Sequence, residues 1–183
     1  MRPISDGASV DQTGNDNCDV LTCGELGRGA LCALLRRFGL ALDRVADGDS
    51  IPGSYWGAPE AGRIRSQLLV RGDTPVHSAL HEACHYICME PERRDRESID
   101  AGGTALEECG VCYLQVLLAA ELEGMEAERM FRDMDRWGYS FRLGSSRAWF
   151  ERDADDARVF LETRGLVDVT TGRLRMPPVP ATR

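Results

Sequence analysis

The chain contains no lysine; all 22 of its basic residues are arginine. Genomic codon bias accounts for that wholesale replacement, yet one chemical consequence stands. Without an ε-amine, Schiff-base chemistry through a lysine of this chain is excluded. Histidine is almost as scarce, at three residues. No apolar run approaches the roughly 20 residues that a membrane-spanning helix requires. The opening 20 residues are polar, and they have neither the charged start nor the apolar run of a secretory signal. The expectation is a cytoplasmic protein with no membrane partner. Positive charge is not in excess either. The net charge is -8, and an acidic surface repels phosphate, so no nucleic-acid partner is expected. The seven cysteines are odd in number and irregular in spacing, unlike a secreted disulfide framework. In a reducing compartment they are expected as small buried residues or as neighbours of a metal.

What is present suffices for one core. The chain has 183 residues, 43% of them hydrophobic, which leaves little room for a second domain. The organisation reads as an N-terminal arm over 1–20, one α+β domain over 21–176, and a loose Pro-rich tail over 177–183. Thr22 and Glu25 have capping-box spacing, and Leu26, Ala30, Leu34 and Phe38 continue a helix to a stop at Gly39. Strands are expected over 40–45 and 63–71, separated by a loop over 46–62 that carries Tyr55 and Trp56. Thr74 as N-cap and Pro75 at the first helical position open a helix to about Met89. A charged loop over 91–103 follows. Further helices are expected over 104–122, over 125–137 with a stop at Gly138, and over 146–164 with a stop at Gly165. A small hairpin is expected over 167–175.

The chemistry concentrates in His81-Glu82-Ala83-Cys84-His85. Residues four apart on a helix share a face, so His81 and His85 can turn imidazole nitrogens toward one divalent ion. Glu82, one residue on, is placed to act as a general base on a water at that ion. This is the logic of the His-Glu-x-x-His motif. The motif takes two of the three histidines. His77 lies one turn earlier on the same stripe, as a packing residue or a contact for substrate. A two-histidine centre needs a third donor, and Glu107 and Glu108 begin the following helix. Glu107 is favoured because Gly110, one turn on, permits close packing against the histidine helix. Against it, Thr104 to Glu107 is itself a capping box. Glu108 is the alternative. Cys84 and Cys88 lie beside the histidines, and Cys109 and Cys112 lie near the acidic pair. Core packing is the favoured account of all four, with a redox pair or a thiolate site as the sharper one.

Two resemblances follow from these residues. The motif and the helix that carries Glu107, Gly110, Leu117 and Leu118 resemble zincin metallopeptidases of the compact type with a glutamate third ligand. A longer series resembles the bacterial elongation factor P hydroxylase family. It runs in order through Arg44-Val45, Gly48-Asp49 with Pro52, Arg63-Ile64, Ser78 to Glu82, His85-Tyr86, Arg93-Arg94, Glu107-Glu108 and Gly138 to Phe141. The chain departs from that family over Glu97 to Gly103, which lacks its aromatics, and over Gly110 to Leu114, which lacks its basic Pro-containing segment. It reads as a divergent relative. The resemblance implies a zincin-like scaffold with a small antiparallel or mixed sheet, a metal-binding helix, a Glu-bearing helix and C-terminal helices. It also implies a two-histidine, one-carboxylate centre holding Fe(II), and hydroxylation of a modified lysine on elongation factor P. The shorter resemblance implies Zn(II) and cleavage of a protein or peptide substrate, with Glu82 as the general base. A metal-stabilised binding module without catalysis is the third reading. Tyr55, Trp56, Tyr86, Tyr139 and His77 are candidates to meet substrate.

Overall fold

The computed structural model describes residues 19–94 and 103–178. The expected arm over 1–18, the centre of the charged loop over 95–102, and the last five positions lie outside the described residues.

The N-terminal capping box forms as its spacing dictates. The Thr22 hydroxyl accepts from the Glu25 N–H, and the Glu25 carboxylate accepts from the Thr22 N–H. The helix it opens does not run on to Gly39. It divides into α1 (Cys23–Leu26) and α2 (Arg28–Arg37) at Gly27, whose φ of 80° and ψ of 151° are open to glycine alone. β1 (Ala41–Arg44) follows. The second expected strand is in fact a hairpin of β2 (Gly62–Ile64) and β3 (Gln67–Val70), turning at Arg65 with a φ of 54°. The sheet order is β1-β3-β2, with β1 parallel and β2 antiparallel to β3.

α3 (Val76–Cys88) carries the histidines. Pro75, rather than Thr74, takes the N-cap position, while the Thr74 hydroxyl accepts from the Arg71 N–H at 2.9 Å. The N-terminal segment clamps this start: the Cys23 N–H donates to the Thr74 carbonyl and the Val76 N–H to the Leu21 carbonyl, both at 2.8 Å. The other end is capped by arginines. Arg94 donates to the Ile87 and Met89 carbonyls, and Arg164 donates to the Cys88 carbonyl. Cations there also suit the negative end of the helix dipole, each contributing about 0.3–1 kcal/mol. α3 is buried nearly all round, and only Glu82 and Tyr86, four apart, form a partly exposed stripe.

α4 (Pro91–Arg94) is one turn. α5 (Ala105–Ala119) starts at the Thr104 cap and packs against α3, α6 (Glu126–Trp137) and α8 (Asp155–Thr163). The expected last helix is two, α7 (Ser146–Arg152) and α8 (Asp155–Thr163). The break falls at Asp153, whose carboxylate is held by Arg142. Gly110 does permit a close approach, but to α8: a Cβ there would collide with Cδ1 of Phe160. The expected hairpin near the C-terminus is reduced to a single bridge, Val167 with Leu174. Pro177, expected to begin the loose tail, is anchored by Arg37, which donates to its carbonyl at 2.6 and 2.8 Å. The architecture is α+β: eight helices and a three-stranded mixed sheet among the described residues. No helix among them is long and apolar enough to cross a membrane.

Candidate metal centre

His81 and His85 stand one turn apart on α3, their rings edge to face with centroids 4.7 Å apart. Their Nε2 atoms are 3.2 Å from one another. Across the α3–α5 contact, Glu108 Oε1 is 3.3 Å from His85 Nε2, and Glu108 Oε2 is 3.9 Å from His81 Nε2. Donors about 2.0–2.2 Å from a shared ion, at tetrahedral angles, stand about 3.3–3.6 Å apart. The three side chains offer ligand atoms within 4.8 Å of one another, so the donor set fits a divalent ion with modest adjustment. The histidines are 7% and 2% exposed, and Glu108 forms the more accessible edge.

This geometry corrects the choice between the two glutamates. Glu107 is buried, but its carboxylate accepts from Arg93 at 2.8 Å, and its N–H donates to the Thr104 hydroxyl. Adjacent helix positions are 100° apart, so only one of the pair can turn toward the two histidines. The close neighbour of Gly110 is Phe160 of α8, not the histidine helix, so the small residue does not bring Glu107 to the histidines.

Glu82 is outside the three-donor group. Tyr86 shares the partly exposed stripe with it and lies under the Arg94 guanidinium, 4.8 Å from the ring centre. Tyr139 does reach the site, with its ring edge to face with His81 at 5.8 Å and with His77 at 5.6 Å. Tyr55 and Trp56 pack edge to face on the loop after β1, and both are exposed.

His77 is fully buried, between Trp137 and Tyr139, so of its expected roles packing is the one the geometry matches. Neither of its ring nitrogens has a hydrogen-bond partner among the described residues. Burial, and secondarily the neighbouring His81, push its pKa down to about 3.

Gln115 carried no motif, yet it touches the centre. It is fully buried in α5, with Oε1 3.2 Å from His81 Nδ1. Its only sequence signal was one amide inside the apolar run from Val111 to Ala119, seven residues after Glu108 and so on nearly the same stripe.

The six described cysteines are free thiols. Burial first, then Cys88 and Cys112, raises the Cys84 thiol well above its usual range. Cys88 is pushed up to about 12, by burial first and then by Glu107. Such thiols stay protonated and inert, as core packing requires. Cys109 and Cys112 line a cavity of about 260 Å³ with Phe141, Trp149 and Ala157. No cysteine enters a three-donor group among the described residues.

No protein-family model, curated protein or solved structure matches this chain. The candidate function therefore rests on the site's own chemistry and on the pieces of sequence that surround it.

Proposed function

We propose that the chain is a metal-dependent enzyme in which His81, His85 and Glu108 hold one divalent ion, Fe(II) or Zn(II). The observation that carries this reading is the convergence of two Nε2 atoms and one carboxylate from separate helices. Among the described residues no fourth His, Cys, Asp or Glu joins them, which favours a centre with an open position over a closed structural site. An ion held this way supplies dioxygen chemistry as iron or Lewis-acid chemistry as zinc. Glu82, next to His81 in sequence and on the partly exposed stripe of α3, accepts or returns a proton at the open side. Tyr139 flanks His81 and limits the space beside it.

The first reaction we assign is hydroxylation of a modified lysine on a protein substrate, as the elongation factor P hydroxylase resemblance implies. Two of its segments lie by the centre. Tyr139 meets His81, and Arg93 holds the glutamate next to Glu108. Zinc-dependent peptide cleavage is the second reading, favoured by Glu82 standing at the base position of the motif.

One pair of assays separates them. Protein loaded anaerobically with Fe(II) is mixed with elongation factor P bearing its modified lysine and an added two-electron reductant, and oxygen is admitted, so that one oxygen atom enters the C–H bond and the other leaves as water. Oxygen uptake with the mass gain of one oxygen atom on the partner is expected; this chain has no lysine to confuse that mass shift. If stoichiometrically loaded protein does neither, the zinc reading takes over. It requires peptide cleavage that Glu82→Gln abolishes while keeping the metal. Failure of both assays rules out the enzyme.

A further inference from the structure

We propose that Gln115 is a positioning residue that holds His81 in the one tautomer able to present Nε2 to an ion. The inference rests on the metal-centre reading above. The two ends of the Gln115 amide have opposite requirements. The Nε2 end lies 2.9 Å from the His77 backbone carbonyl and 3.5 Å from Met130 Sδ. A carbonyl only accepts, so the amide NH₂ belongs at this end, and the amide oxygen must face His81 Nδ1 at 3.2 Å. That oxygen also only accepts, so Nδ1 carries the hydrogen.

A neutral imidazole has one N–H. With it on Nδ1, the lone pair is on Nε2, the atom that faces His85 and Glu108. The opposite tautomer would aim its lone pair at the Gln115 oxygen and its N–H into the centre. A hydrogen bond from the far nitrogen of a ligating histidine is what fixes its ring and tautomer. Few side chains could replace this one. Ionised glutamate would set an oxygen against the His77 carbonyl. Asparagine is one methylene short. Methionine fills the volume and makes neither bond. Because α3 supplies His77 and His81 and α5 supplies Gln115, the amide also ties these two helices together beside the centre.

The test uses the full chain at pH 8, where an ordinary imidazole is neutral. In metal-free protein, long-range ¹H–¹⁵N spectra of labelled histidine are expected to show His81 protonated at Nδ1. Gln115→Met is expected to mix the tautomers and weaken Zn(II) binding about 10–100-fold in a chelator competition. Gln115→Glu keeps an oxygen facing Nδ1 and is expected to keep His81 protonated there, with a loss of stability from the oxygen set against the His77 carbonyl. Met130→Leu keeps the amide and is expected to hold wild-type affinity within about threefold, separating the hydrogen bond from packing. The role is overturned if His81 is protonated at Nε2 in the wild type, or if folded Gln115→Met binds zinc as the wild type does. Wild-type protein that takes up no zinc overturns the metal-centre reading instead. That failure is distinguishable, because the tautomer is read without any ion.

Discussion

Glu108→Ala is expected to weaken divalent-metal binding by about a thousandfold, about 4 kcal/mol. Glu107→Ala is expected to leave it within about threefold, less than 0.7 kcal/mol. The contrast follows from where each carboxylate goes. Glu108 faces both Nε2 atoms, at 3.3 and 3.9 Å, whereas Glu107 is engaged by Arg93 at 2.8 Å. Its loss breaks a partly buried ion pair and should lower stability by about 1 kcal/mol, but the helix cap survives, because Thr104 accepts from the backbone N–H of residue 107 and not from its side chain. Thermal unfolding with and without zinc gives a second readout. An ion at 100 times its Kd stabilises the folded state by about 2.7 kcal/mol, and that increment should vanish in Glu108→Ala and persist in Glu107→Ala. Equal loss in both variants would mean that the helix start, and not one carboxylate, is what matters.

The second large effect is on acid stability. His77 is buried neutral, with its pKa pushed down to about 3, against about 6.5 in an unfolded chain. A depressed folded pKa means that the unfolded state takes up the proton first. The stability conferred by neutral His77 is complete above pH 6.5 and is lost progressively as pH falls from 6.5 toward 3. Each pH unit in that window removes about 1.4 kcal/mol, so at pH 5 the deficit from this residue is about 2 kcal/mol. His77→Phe removes the group that titrates while keeping an aromatic ring between Trp137 and Tyr139. Urea unfolding of metal-free protein at pH 7.5 and pH 5 should therefore show a smaller drop in the variant than in the wild type, by about that amount. Comparing the two proteins cancels the contributions of His81 and His85, which both retain. Parallel pH profiles would show that His77 does not stay neutral in the fold.

What was legible in the sequence was mostly local. The capping box at Thr22 and Glu25 forms because its donors and acceptors are three residues apart. The pairing of His81 with His85 follows from one helical turn. What escaped depended on packing. Spacing could place Glu107 and Glu108 at the start of α5, but which of them turns toward the two histidines is set by how α5 docks, with Phe160 seated on Gly110. Gln115 was invisible because its partners are 34 and 38 residues away. The broken elements show a similar limit. Arg65 turns the β2–β3 hairpin without the glycine or asparagine that signals such a turn, and the break at Asp153 has no glycine or proline beside it. Gly27 sits inside the helical pattern of Leu26, Ala30 and Leu34, and the periodicity of those residues does not encode the backbone turn that breaks the helix there.

The central claim is that two imidazoles and one carboxylate hold a single ion. X-ray absorption at the zinc edge, on protein loaded with one equivalent, tests it most directly. The expected spectrum has only nitrogen and oxygen neighbours at about 2.0–2.2 Å, with the outer-shell scattering of two imidazole rings, and Glu108→Ala should lose the bound equivalent. A sulfur shell at about 2.3 Å would move the site to the cysteines, and a folded protein that retains no zinc would contradict the account outright.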